Sequence, residues 1–323
     1  MIKPKILITR RWPEFVEAEL MRRYDVQLNE TDMPLTVSQL CDALGEYDAI
    51  LPTVTDVLTA QTFDRDFVRT KAICNYGVGV SHIDLDRAKS LGITVTNTPD
   101  VLSECTADIA LTLMLMTARR AGEGEREIRA DAWTGWRPTH SLGTKVTGKT
   151  IGIVGFGRIG QECAKRAHFG FGMNVIVFNR SPIRQEILNQ FNANQSTSLM
   201  DVFAASDFVS IHCPGGDANR HLINSEILAK SKPGLILINT ARGEVVDELA
   251  MADALGTGVL GGAGLDVFDG EPNIRAELLD APNTVLLPHL GSATLETRVE
   301  MGQRVVENLD AIFAEKLPRD LVM

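Results

Sequence analysis

Apolar positions along the chain follow two rhythms. Short runs rich in β-branched residues, at 5–9, 24–28, 48–52, 71–76 and 92–96, are too short for helices and read as strands. Between them, 13–23, 37–44 and 60–68 mix polar and apolar positions at helical spacing. Thr98-Pro99 interrupts this pattern, and 103–120 then reads as a strongly apolar helix, with Ser103 as N-cap and Glu104 in its first turn. A polar stretch follows at 121–147. From 151 the alternation resumes, with strands at 151–154, 175–178, 207–212, 234–239, 261–267 and 284–287, and helical segments such as 224–230 and 247–255. Residues 293–316 read as one long amphipathic helix.

Alternating β and α segments predict parallel sheets covered by helices on both faces. The fold class is therefore α/β with two doubly wound domains, the second a Rossmann unit of about six strands. Segments 1–99 and 289–323 are expected to form one domain, flavodoxin-like, with 100–288 inserted as the second and the crossings near Pro99 and Pro288. A length of 323 residues suits two domains with substantial cores.

Composition narrows the partners. A net charge of -10 with no extended basic patch argues against nucleic acid and membrane surfaces. The five cysteines (Cys41, Cys74, Cys105, Cys163, Cys213) are scattered without a C-x-x-C pair and read as small core residues of a reducing compartment. The opening MIKPKILITR lacks a signal peptide's apolar region, and the run 109–118 is far short of the roughly 20 residues that span a bilayer. A cytoplasmic, soluble protein is expected.

Chemistry enters at 149–180. The strand-like Ile151-Gly152-Ile153-Val154 leads into Gly155, Gly157 and Gly160 in G-x-G-x-x-G spacing, with Arg158 and Ile159 inside the motif. A helical segment and a second apolar run complete a βαβ unit. Such a motif binds a dinucleotide: the glycines permit the turn, the close approach of a pyrophosphate and tight strand–helix packing, while the helix N-terminus faces the phosphates. In NAD-preferring sites a carboxylate at the end of the second strand takes the ribose hydroxyls. Here that position is Asn179, followed by Arg180, Ser181 and Arg184. Two guanidiniums and a hydroxyl suit a 2′-phosphate, which predicts NADP in preference to NAD, with NAD still possible.

Three later stretches end strands of the same sheet. Arg242 in NTARGE could clamp a carboxylate and polarise a keto oxygen, Glu271 lies in LDVFDGEP, and His289 lies in PHLGSAT. Alone, each has a plainer reading, as a surface ion pair, a turn residue or a satisfied core group. Together, beside a cofactor motif, they suit hydride transfer coupled to proton donation, a carboxylate favouring and orienting an imidazolium. Gly77-Val78-Gly79, at the end of a strand in the first half, is a candidate ligand loop. His168 and His221 read as structural, and His82 and His140 lie near ligand loops. No cluster has metal-ligand spacing. Trp133 and Trp136 in DAWTGWRP fit either local packing or an interface with a second subunit.

GFGRIG, NTARG, GLDVFDGEP and PHLGSAT occur in an order and spacing that resembles the D-isomer-specific 2-hydroxyacid dehydrogenases over essentially the whole chain. WTGWRP and RAHFGFGM are most similar to the glyoxylate/hydroxypyruvate reductases of that family. The resemblance implies a catalytic trio of Arg242, Glu271 and His289, and a substrate carboxylate held by N–H groups of Gly77, Val78 and Gly79, with Ser292 nearby. It implies cofactor contacts from Thr106, Arg158, Ile159, His212, Cys213, Pro214, Thr240, Ala241, Asp266, His289 and Gly291, with Asp266 facing the nicotinamide carboxamide. It further implies a homodimer formed through an arm at about 100–147, in which Trp133 or Trp136 lines the partner's pocket. The expected reaction is NADPH-dependent reduction of glyoxylate or hydroxypyruvate with domain closure excluding water. The alternatives are a broader 2-oxo acid reductase, for example of 2-ketogluconate, and a nucleotide-sensing binding protein akin to the family's corepressors.

Overall fold

The computed structural model describes residues 3–323 and separates into two compact units, Met1–Leu102 with Ala293–Met323, and Ser103–Ser292. His289 to Ser292 thus fall in the second unit.

The first unit contains β1 (Lys5–Ile8), α1 (Glu14–Arg23), β2 (Asp25–Leu28), α2 (Val37–Glu46), β3 (Ala49–Leu51), β4 (Ala72–Cys74), α3 (Leu85–Ser90) and β5 (Thr94–Thr96). The second begins with α4 (Ser103–Ala118) and α5 (Ala121–Arg129), followed by β6 (Thr150–Val154), α6 (Arg158–Phe171), β7 (Asn174–Phe178), α7 (Gln185–Gln190) and β8 (Ala193–Ser196). It continues through α8 (Leu199–Ala205), β9 (Phe208–Ile211), α9 (Ser225–Ala229), β10 (Leu235–Asn239), α10 (Glu248–Gly256), β11 (Leu260–Leu265), α11 (Ala276–Leu279) and β12 (Thr284–Leu286). The chain then returns to the first unit with α12 (Leu295–Phe313).

Both sheets are parallel throughout. The first has the order β2-β1-β3-β4-β5, the flavodoxin-like arrangement. The second has the order β12-β11-β10-β9-β6-β7-β8, a Rossmann sheet with one further strand beyond β11. Strands buried on both faces explain the unbroken apolar runs, as in β10, where all five residues are buried. One face of the second sheet packs Ala107, Ala110, Leu113 and Met114 of α4 against Ile151 and Ile153, with Ala164 and Ala167 of α6 closing the layer. The other face buries Val202, Phe203, Ile227 and Met251 against Val209 and Leu237. In the first unit α12 turns Met301, Val305 and Leu309 inward, and its start is capped by Thr294, whose side chain accepts the Thr297 N–H.

Three segments differ from the expected pattern. Residues 60–68 form turns, not a helix. Phe63 is fully buried within them, and the Thr62 hydroxyl bonds the Val57 carbonyl, so local side-chain contacts hold the backbone instead of a helical stripe. The stretch after residue 120 is not all loop. It opens with α5, where Arg120 pairs with Glu123 and Arg129 with Glu125 at helical spacing. The second sheet has seven strands instead of about six, because Ala-Asn-Gln-Ser forms the edge strand β8. An edge strand half open to solvent carries no apolar signature. All five cysteines are free, and among the described residues no helix is long and apolar enough to cross a membrane.

Candidate active site

β10, β11 and β12 are neighbours in one sheet, so their carboxyl ends open on a single edge. Arg242 follows β10, Asp266 follows β11 with Glu271 a few residues on, and His289 follows β12. The structure thus brings Arg242, Glu271 and His289 to adjacent strand ends.

His289 Nδ1 lies 2.9 Å from Glu271 Oε2, and both side chains keep about a third of their surface exposed, 32% and 35%. The other carboxylate oxygen of Glu271 accepts the Phe268 N–H at 2.9 Å. A carboxylate at Nδ1 requires a proton there, leaving Nε2 as the nitrogen that can give or take one. Burial works to raise the Glu271 pKa, but the hydrogen bond and charge of His289, the Phe268 N–H and the charge of Arg242 outweigh it, and the net value falls below the ordinary 4.5. Glu271 is therefore ionised throughout the neutral range.

His289 has a left-handed backbone, with φ of 57°. A branched or bulky residue held there is strained unless its surroundings fix it. Asp266 provides that restraint: its two carboxylate oxygens accept the next two backbone N–H groups, Leu290 at 2.6 Å and Gly291 at 2.7 Å. Asp266 is buried, and desolvation raises its pKa against the pull of those N–H groups and of His289. Thr106 lies beside it, since a Cβ at Gly291 would stand 3.3 Å from Asp266 and 3.4 Å from Thr106. Ser292, next in the chain, is half-buried.

Arg242 sits on a turn built by Asn239, which is almost wholly buried. The Asn239 amide accepts the Ala241 N–H at 3.0 Å and donates to the Arg242 carbonyl at 2.9 Å. The guanidinium itself donates to the Ala241 carbonyl at 2.6 Å. Desolvation lowers the Arg242 pKa, opposed by the negative charges of Glu244 and Glu271. Glu244 also accepts the Gly216 N–H, at 3.1 Å. Buried Glu248 accepts the Asp269 N–H at 2.8 Å, which fixes the loop that carries Glu271. Sequence reasoning missed Asn239, Glu244 and Glu248. They act on backbone groups of neighbouring loops, and no spacing rule marks such a role.

The glycine motif lies between β6 and α6. Gly155 has φ of 90°, and a Cβ there would stand 2.6 Å from the Cys213 nitrogen, so the turn presses against the His212–Cys213 backbone. A Cβ at Gly160 would stand 2.2 Å from the Gly155 carbonyl oxygen. At Gly157, by contrast, it would meet nothing within 4 Å. That open position, where Arg158 and Ile159 begin α6, fits a pyrophosphate at the positive end of the helix. Thr240 adds a buried hydroxyl with no hydrogen-bond partner among the described residues. His212 Nε2 meets the Ser210 hydroxyl at 2.9 Å, and desolvation drops its pKa to about 3, so it is neutral. Burial pushes the Cys213 thiol up to about 11, and exposed Pro214 follows. At the end of β7, the Asn179 amide accepts the Phe156 N–H at 3.1 Å and donates to the Ser181 carbonyl at 2.9 Å. Arg180, Ser181 and Arg184 are exposed.

In the first unit, the carbonyls of Gly77, Val78 and Gly79, in the loop after β4, are each pinned. Asn75, fully buried, donates to the carbonyls of Gly77 and Gly79, both at 3.0 Å. Asn97 donates to the Val78 carbonyl at 2.8 Å, and the Thr98 N–H to that of Gly77 at 3.1 Å. Carbonyls held inward leave the intervening N–H groups to face outward, the requirement for an anion cradle. Asn75 and Asn97 were not singled out by sequence.

The remaining candidates are placed as follows. His82 bonds Asn75 at 3.1 Å, His140 pairs with Glu127 at 2.9 Å, and the His168 ring bonds the Met173 carbonyl at 3.0 Å. The His221 N–H donates to the Glu244 carbonyl. Trp133 and Trp136 are 50% and 81% exposed, so neither packs into the core of its own chain. Among the described residues no three His, Cys, Asp or Glu side chains gather as metal ligands.

A Rossmann sheet with a dinucleotide cradle and an Arg, Glu–His set at its strand ends defines a nicotinamide-type oxidoreductase. The chain belongs to the D-isomer specific 2-hydroxyacid dehydrogenase family, whose NAD-binding-domain model matches residues 111–291. It is 39% identical to glycerate dehydrogenase of Hyphomicrobium methylovorum, over 97% of each chain. It is 41% identical to glyoxylate reductase of Thermococcus litoralis, covering 99% of this chain and 97% of that one. Among solved structures, it is similar to the NADPH-dependent glyoxylate/hydroxypyruvate reductase of Sinorhizobium meliloti in complex with NADP and malonate. There the TM-score is 0.88 at 32% identity, over 99% of this chain and 97% of that one.

Proposed function

We propose that this enzyme reduces a small 2-oxo acid, glyoxylate or hydroxypyruvate, to the 2-hydroxy acid with NADPH. The carrying observation is the His289–Glu271 pair, which keeps a proton-donating imidazole oriented at the end of β12, on the same sheet edge as Arg242 at the end of β10 and one strand removed from it. A bound nicotinamide supplies hydride to the carbonyl carbon. His289 Nε2 gives its proton to the carbonyl oxygen, and Arg242 stabilises the negative charge that develops there. Glu271 compensates the imidazolium and fixes its ring. The N–H groups of the Gly77–Gly79 loop take the substrate carboxylate.

Cofactor choice rests on the end of β7. The absence of a carboxylate there, with Arg180, Ser181 and Arg184 exposed beside it, supports a 2′-phosphate. NADP bound to the Sinorhizobium relative points the same way. In this reading residues 1–99 and 289–323 bind substrate and 100–288 bind the dinucleotide. The exposure of Trp133 and Trp136 supports a homodimer whose arm covers them, one tryptophan lining the partner's pocket.

Nicotinamide oxidation followed at 340 nm, with NADPH and NADH against glyoxylate, hydroxypyruvate and 2-ketogluconate, tests this function. The proposal expects glyoxylate or hydroxypyruvate with NADPH to give the highest kcat/KM. Highest efficiency with 2-ketogluconate would replace it with the broader reductase. Cofactor binding without turnover of any 2-oxo acid would replace it with a nucleotide-sensing role.

A further inference from the structure

Beyond the residues facing the cofactor, β8 carries a side chain whose three hydrogen bonds all go to one loop. Gln195, half-buried and paired with Val177 in the sheet register, accepts the Ile183 N–H at 2.8 Å. Its amide nitrogen donates to the Asn179 carbonyl at 3.2 Å and to the Ser181 carbonyl at 3.1 Å. One acceptor and two donors are thus matched to one N–H and two carbonyls, which fixes the amide's orientation. Asn179 ties the same loop from the other side, to Phe156 of the glycine turn and to Ser181. The backbone of 179–183 is therefore held at both flanks, while Arg180 and Arg184 stand exposed with no ion-pair partner among the described residues.

We infer that Gln195 is a positioning residue for cofactor specificity: it holds the Asn179–Ile183 backbone in the form that presents Arg180 and Ser181 to the 2′-phosphate. The inference rests on the NADPH reading above. A loop ordered before binding spares the cofactor the cost of ordering it, so the benefit goes to the ligand whose extra phosphate the loop grips. NADH has no such phosphate and is nearly indifferent to the clamp.

The test is direct binding, by calorimetry or by quenching of protein fluorescence, of NADPH and NADH to the full chain. Gln195→Met keeps the side-chain volume and removes all three hydrogen bonds. It is expected to weaken NADPH about tenfold and NADH by no more than about twofold, in keeping with the loss of a few modest net hydrogen bonds. If that variant fails to fold, Gln195→Asn, one methylene shorter and unable to span all three groups, is read in the same way. Arg180→Ala runs beside it as the test of the phosphate reading. Loss of NADPH affinity in Arg180→Ala with none in the Gln195 variants overturns the role of Gln195 alone, as does an equal loss for both cofactors. An unchanged NADPH/NADH ratio in Arg180→Ala overturns the phosphate reading itself.

Discussion

His289, the proposed proton donor, is held by two carboxylates with different duties. Glu271 faces the His289 ring, whereas Asp266 faces the backbone that follows it and keeps His289 in its left-handed conformation. The lowered pKa of Glu271 carries a sign. A carboxylate depressed on folding stabilises the native state above its unfolded value, and that contribution disappears as pH falls through the lower native value. Wild-type protein should therefore lose stability on acidification below about 4.5 more steeply than Glu271→Gln, measured by urea unfolding across that range. Equal slopes would show that Glu271 gains nothing from its partners. At this scale the sequence was readable where a residue type itself announces the chemistry: an arginine, a carboxylate and a histidine at strand ends. It was silent on Asn239, Asn75 and Asn97, because an asparagine that ties down a carbonyl looks in sequence like any turn former.

Among the elements, the loop after β4 carries the backbone groups proposed to bind the substrate carboxylate. Its carbonyls are held by Asn75, Asn97 and Thr98, so its N–H groups are preset for an anion. Asn75→Ala should raise KM for the 2-oxo acid about tenfold while leaving NADPH affinity unchanged, as read by steady-state kinetics and fluorescence titration. An unchanged KM would remove this loop from substrate binding. Buried strands and long helices were legible because burial on both faces leaves continuous apolar runs. The polar edge strand β8, the short α5 and the turns at 60–68 were not: edge exposure gives β8 no apolar run, α5 buries none of its residues, and the spacing at 60–68 belongs to turns around the single buried anchor Phe63. The unread strand β8 is also the one that carries Gln195.

Across the whole molecule, alternation of strand and helix foretold two parallel sheets, and right-handed crossovers leave few ways to assemble them. Strand order was not legible, since hydrophobic pattern does not encode which strand pairs with which. The central claim, that His289 donates the proton in a nicotinamide-dependent reduction, is tested most directly by His289→Gln. The account predicts a fall in kcat with glyoxylate or hydroxypyruvate of at least about a hundredfold, with NADPH still bound, as expected for loss of a general acid. Turnover near that of the wild type with intact NADPH binding would contradict it.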